Sequence, residues 1–260
     1  MLYSRLLERI REYRRMPSVT VDLMHAATSQ NDPFFGRIVH EFYVDANRRH
    51  RKLPFLRRFT HGVALCVLPS SFEQYFMMID ASARRNYKKA VREGCTFRPI
   101  EINKHLAEIG AIRSSSDVRQ GKLVPEHYRS GEPAKPFDVH RSLCRSHDYV
   151  YFGAFLHDNL IGYAYALIAG EFCGIEHVLG HAEHLSLGVV PQLIISMAKN
   201  LYENHPMVKY YAYGSYFGAA ETMRRFKRKF GFLPHRVRWL MNAQPQPPIS
   251  ASAALIQGGQ

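Results

Sequence analysis

Ala219, Met223, Phe226 and Phe230 recur every three to four residues, predicting a helix with one buried apolar face and Lys227 beside it. Gly231 follows where such a helix would stop. A tyrosine-rich strand pattern, Met207–Tyr213, precedes it, and His235–Met241 reads as a last strand. Upstream, Tyr149–Leu156 and Leu160–Ala169 read as strands about the turn His157-Asp158-Asn159, with Glu171–Leu179 as a third. Leu193, Ile194, Met197, Ala198 and Leu201 then mark a helix, with Pro191 suited to its first turn.

Before residue 149 the pattern is thinner. Ser70-x-x-Glu73 has capping-box spacing and opens a helix carrying Phe72, Tyr75, Phe76 and Ile79. A second helix runs from about Ser82 to Glu93 and stops at Gly94, and Cys95–Ile102 reads as a strand. Ser114–Pro136 is a long loop, functional or mobile by its length. Residues 17–69 are poorly periodic apart from a strand at Gly62–Leu68. Met1–Met16 predicts a short basic helix, and Ala243–Gln260 a disordered tail.

Composition narrows the class. Of 260 residues, 46% are hydrophobic and 22% charged, as in globular proteins. No apolar run approaches the roughly 20 residues of a membrane span, and the arginine-rich start lacks a signal-peptide core. Cys66, Cys95, Cys144 and Cys173 are scattered without a CxxC pair, so reduced thiols and a cytoplasmic protein are expected. The net charge of +13 is concentrated. Arg84, Arg85, Lys88, Lys89, Arg92 and Arg98 face the single acid Glu93, and Arg224 to Arg238 holds seven basic residues and no acid. Such clusters suit an anionic partner: a phosphate-bearing donor, a nucleic acid or an acidic membrane surface.

Several motifs carry a resemblance. Phe226-Lys227-x-x-Phe230-Gly231, the helix Ser82-x-x-Arg85-Asn86-x-x-Lys89-Ala90-x-x-Glu93-Gly94, and the hairpin Gly153-x-Phe155 … Leu160-Ile161-Gly162-Tyr163-Ala164 are together similar to the Fem-type branch of GNAT-like N-acyltransferases. The likeness runs from about Phe72 to Met241. It implies an α/β (α+β) fold: a mixed, mainly antiparallel sheet flanked by helices, with a reduced N-terminal lobe. The division expected is residues 1–69 for that lobe, 70–242 for the acyltransferase domain and 243–260 for the tail. The function implied is transfer of an acyl or aminoacyl group to an amine. The donor is acyl-coenzyme A, an acyl carrier protein or aminoacyl-tRNA, with no permanently bound cofactor.

Acyl transfer needs a base for the attacking ammonium and a positive or hydrogen-bonding group for the oxyanion. Glu176, central in the third core strand, stands where GNAT enzymes often place a carboxylate. Lys227 matches the lysine of the Fem-type motif, and Tyr213, near the end of the preceding strand, is a candidate proton donor or else a packed aromatic. Leu187, Gly188, Val189 and Val190 open a helix whose free amides suit a pyrophosphate, although that loop lacks the Arg/Gln and second glycine of the usual GNAT signature. Among His177, His181 and His184, His181 is the candidate base or acceptor contact. No metal is expected, because Gly180 interrupts the helix that the i,i+4 pair would need. Arg85, Arg119 and Gln120 are candidate substrate contacts. The rival class is a non-catalytic nucleic-acid-binding protein gripping phosphates with the two basic clusters.

Overall fold

The computed structural model describes residues 15–28, 31–50, 53–119 and 122–241. The expected N-terminal helix lies almost wholly outside these residues, and the expected tail and Gln120 lie outside them. In chain order the elements are β1 (Ser18–Asp22), α1 (Pro33–Asn47), β2 (Arg49–His50), β3 (Leu53–Arg57), β4 (His61–Val67), α2 (Phe72–Met78), α3 (Ala81–Arg92) and β5 (Thr96–Pro99). Then come α4 (Leu106–Ser114), β6 (Val118–Arg119), β7 (Lys122–Leu123), the single turn α5 (Glu126–Arg129), β8 (His147–Leu156), β9 (Asn159–Ala169) and β10 (Phe172–Gly180). A 3₁₀ turn, Ala182–Leu187, leads into α6 (Val189–Asn204), and β11 (Tyr210–Ser215), α7 (Glu221–Lys229) and β12 (Leu233–Leu240) close the chain.

Eight strands form one sheet in the order β1-β12-β4-β11-β10-β9-β8-β5. The pairs β1/β12 and β10/β11 are parallel and the other five antiparallel, so the sheet is mixed and mainly antiparallel as expected. Strands β1 and β4, from the first 69 residues, lie in the same sheet as the strands from 70–242. Alternation along β9 divides the interior. Ala164, Ala166 and Ile168 pack with Leu193, Met197, Tyr211 and Phe230 on the α6 side. Leu167 and Ala169 pack with Phe35, Val39 and Trp239 on the α1 side, and Tyr163 joins Ile109 and Ile112 beneath α4.

Local chemistry sets the helix ends. The cap of α2 is Ser71, whose hydroxyl accepts from Gln74 N at 3.3 Å; Ser70, the cap expected from spacing, instead hydrogen-bonds the Gln74 side chain. Asp80 caps α3 through Ser82 N at 2.7 Å. Helix α7 begins at Glu221, two residues after Ala219, which sits in a turn bonded to Tyr216 O. It ends in a Schellman pattern, with Phe232 N reaching Lys227 O and Gly231 N reaching Arg228 O at φ +80°. Helices α1 and α4 have no counterpart in the sequence reading. Their buried faces are short, Phe35, Val39 and Ala46 in one and Ile109 and Ile112 in the other, and they become apolar faces only against the sheet and the loops beside it.

Candidate active site

The parallel pair β10/β11 is a fork. The strands share three ladder positions, Phe172↔Tyr210 to Gly174↔Ala212, and beyond these no longer pair with each other. Both are bent where they part. Strand β10 slips against β9 between Ile175 and His177, leaving Glu176 without an opposite residue, and β11 slips against β4 between Ala212 and Ser215. A bulge of this kind turns successive side chains to one face. Glu176 and His177 therefore both stand on the α1/α4 side, while Ile175 and Val178 are in the opposite core.

Glu176 lines a recess of about 140 Å³ together with Gly174, Ile175, Ala212, Gly214, Phe42 and Phe59. The last two also line an adjoining trough of about 440 Å³ that reaches Ser215 and Gly218. The Tyr149 hydroxyl donates to Glu176 Oε1 at 3.2 Å. Glu176 is exposed by surface area, but its carboxyl is partly buried by the groups around it. That burial raises its pKa above the ordinary glutamate value, against the opposing hydrogen bond from Tyr149. A carboxyl whose pKa is raised in this way takes a proton more readily than an ordinary glutamate, as a general base requires.

His177 is stacked on Tyr163 and Tyr165, with ring centroids 5.0 and 5.5 Å away. Arg113 Nε donates to Tyr163 Oη at 2.9 Å, which leaves the phenol proton for His177 Nε2 at 2.8 Å. Burial first, then the charges of Arg113 and Arg119, lower the His177 pKa to about 4, so the ring is neutral at pH 7. It serves as a fixed acceptor beside Glu176.

Lys227 differs from its sequence expectation. It is 5% exposed, and its ammonium donates to Ser215 O at 2.8 Å and lies 4.8 Å above the Tyr213 ring. It thus holds the end of β11 rather than standing beside the Gly188 loop. Burial lowers its pKa to about 8. Tyr213 packs with the α6-side core, and burial pushes its phenol up to about 12, so it keeps its proton.

The turn before α6 is closed over. Gly188 adopts φ +91°, is buried, and gives its N–H to Leu185 O at 3.1 Å. A Cβ there would lie 2.4 Å from Asn86 O of α3. Val189 is fully buried, whereas Leu187 and Val190 are half-buried. The open amide cleft expected at 188–190 is therefore roofed by α3, whose Lys89 also reaches Ser186 O at 2.9 Å. Arg119 and His181 are brought together. Arg119 donates to Gly180 O at 3.1 Å, to Ile112 O at 2.7 Å and to the Ser115 hydroxyl at 2.9 Å, and Ser115 in turn accepts from Ala182 N. These bonds make Arg119 a clamp on the end of β10. Arg85 is exposed on α3, where it and Lys229 help lower the Asp80 carboxyl after its serine hydrogen bonds. Sequence reasoning missed Tyr149, Phe42 and Phe59, which no local pattern marks, and Arg113, which meets Tyr163 only through folding.

No family model matches the chain. No curated protein matches it. Among solved structures it is similar to FemX (TM-score 0.49, 11% identity, covering 67% of this chain and 59% of that one). It is also similar to the C-terminal DUF2156 domain of an Agrobacterium fabrum protein described as a lysylphosphatidylglycerol synthetase (0.44, 13%, 68% and 58%). A third is L-PGS from Bacillus licheniformis (0.41, 12%, 68% and 58%). The chain spans less than two thirds of the length of each. What identifies the fold is the strand order itself, an antiparallel β8-β9-β10 meander, a crossover through α6 and a parallel β11 that parts from β10. The fold is GNAT-like.

Proposed function

We propose that the chain is an N-acyltransferase moving an acyl or aminoacyl group from an activated donor to an amine. The observation that supports this best is the fork, with a raised-pKa carboxylate on its bulge facing a recess between the two strands. The unpaired inner edges of β10 and β11 suit an extended, amide-bearing donor arm, which would add to the sheet as a strand does. In this reading the acceptor ammonium gives a proton to Glu176. The amine nitrogen bonds to the donor carbonyl carbon, and the C–S or C–O bond of the tetrahedral adduct then breaks. The leaving thiolate or alkoxide takes a proton from Tyr213, and Tyr213 regains one from the second N–H of the former amine. Lys227 positions the backbone of Gly214 and Ser215 and acts through them.

The roofed turn at Gly188 argues against a pyrophosphate lying on those amides in this arrangement. It favours a donor whose anionic part meets the exposed Arg85, Lys88 and Arg92 of α3. Coenzyme A, an acyl carrier protein and aminoacyl-tRNA all carry such a part. We place the activity in the cytoplasm, in keeping with four free cysteines and with no described helix long and apolar enough to cross a membrane. No permanently bound cofactor enters the scheme. Mass spectrometry of co-purifying ligands, followed by isothermal titration with coenzyme A, acyl carrier protein and aminoacyl-tRNA, tests the proposal. Turnover of none of the three acylated donors would overturn it.

A second reading, phosphate binding without catalysis, draws on one contact. Asp80 N bonds Lys229 O at 2.9 Å, so the basic helices α3 and α7 meet. That reading predicts a steep fall of nucleic-acid affinity with salt and no dependence on Glu176.

A further inference from the structure

Among the described residues a cluster of metal-ligating side chains lies outside the fork, on the 3₁₀ turn between β10 and α6. His181, Glu183 and His184 each present a ligand atom, and all three atoms lie within 4.8 Å of one another. A 3₁₀ turn has three residues per turn, so positions i and i+3 eclipse. His184 N closes that turn on His181 O at 3.0 Å, which brings the two imidazoles to a ring-centroid distance of 5.4 Å, tilted by 45°. Glu183, between them, has its carboxylate 4.0 Å from His181 Nδ1 and is otherwise exposed. The pair that the sequence brings to mind, His177 and His181, is a different one. The bulge sends His177 under Tyr163 and Tyr165, away from this turn.

A second, independent observation points to a ligand. Nδ1 of His181 is shielded from solvent and has no hydrogen-bond partner among the described residues. A buried ring nitrogen without a partner is costly, and a metal bond would satisfy it. The turn is also held at both ends. Ala182 N donates to Ser115 Oγ at 2.9 Å and Arg119 holds Gly180 O, while Lys89 holds Ser186 O and Gly188 is pressed on Asn86. The backbone bearing the ligands is therefore fixed before any ion arrives, which lowers the ordering cost.

We infer that His181, Glu183 and His184 form a binding site for a zinc-class divalent cation. Two imidazoles and one carboxylate suit zinc or a similar borderline metal, whereas calcium and magnesium take oxygen ligands. Bonds of about 2.0–2.2 Å bring the ligand atoms closer together than they now stand. The exposed Glu183 and rotation of the two rings supply that movement. Arg119 opposes a cation, but its guanidinium is already bound to two carbonyls and a hydroxyl. Three protein ligands leave a fourth position for water. Bound there, the ion would tie the end of β10 to the first turn of α6 without entering the acyl-transfer scheme.

Titrating EDTA-treated full-length protein with zinc chloride in a calorimeter tests this. One equivalent should bind saturably, and the melting temperature should rise with zinc. His181→Ala and His184→Ala should each weaken binding by at least the roughly 10–100-fold that loss of an outer-shell partner costs. Glu183→Gln should weaken it less, and His140→Ala, which alters the distant exposed pair with Asp138, should change nothing. Circular dichroism of each variant reports whether it is folded. No saturable zinc binding to the folded wild type, or binding undiminished in the folded His181→Ala/His184→Ala double variant, would overturn the site.

Discussion

At the scale of single residues, two ionisable groups carry opposite shifts for one reason, burial. Glu176 is raised and Lys227 lowered to about 8. A base must be ionised to act, so the rising limb of kcat/KM against pH should lie above the usual carboxylate range. Glu176→Gln keeps the shape, cannot accept the proton, and should lower kcat by about 10²–10⁴-fold while abolishing that limb. Steady-state rates across pH check this, and a variant with unchanged rate and profile would remove Glu176 from the mechanism. For Lys227 the linkage sign is worked from proton uptake. Its folded pKa, about 8, is below the unfolded value, so between about pH 8 and 10.5 the unfolded chain binds more protons. The lysine's contribution to stability therefore grows as pH rises through that window, by roughly 3 kcal/mol at most at 1.36 kcal/mol per pKa unit. Relative to Lys227→Met, the wild type should gain stability from pH 8 to 10 in urea melts. Parallel curves would mean the ammonium is not desolvated.

At the scale of elements, two glycines decide how helices seat. Gly231 is the left-handed residue of the α7 cap, and a Cβ there would stand 3.2 Å from Cys66 Sγ and from Met78 Cε. Gly231→Ala should cost about 1 kcal/mol or somewhat more, because both conformation and space oppose it. Gly188→Ala should do more harm. Its Cβ would meet backbone, Asn86 O at 2.4 Å, which cannot rotate aside, so α3 must move off α6. Urea denaturation should rank Gly188→Ala as the more destabilising of the two. Hydrogen exchange should show faster opening of Ala81–Arg92 in that variant only. Equal effects, confined to α7, would contradict the packing of α3 on the turn.

At the scale of the molecule, residues near the chain's start are part of the sheet's interior. Val21 and Leu23 are fully buried with Phe35, Phe172 and Trp239, and Leu23 N bonds Leu240 O at 2.9 Å. Leu23→Ala removes a fully buried side chain and should cost about 2–5 kcal/mol. A single cooperative transition shifted as a whole is expected. Loss of only an early, partial transition would show that the segment before residue 70 unfolds by itself.

The strands β8 to β12, α3, α6 and α7 were legible because each is long, periodic and bounded by glycine or a turn, and such signals depend only on neighbours along the chain. The position of Glu176 in β10 could be read from the strand pattern, but that Arg119 holds Gly180 O, next to His181, could not, because the two segments lie about sixty residues apart in the chain. Helices α1 and α4 were not legible, because Phe35, Val39 and Ala46 become an apolar face only when the sheet lies beneath them. Lys227 was recognised as a residue of interest, but local sequence could not say where its ammonium goes. The burial that lowers its pKa comes from its position above Tyr213 and under the end of β11. Likewise the fork, the recess with Phe42 and Phe59, and the roof of α3 over Gly188 join segments far apart in the chain. Periodicity fixes which face of an element is apolar; only tertiary packing decides what that face meets, and with it the solvation of each ionisable group.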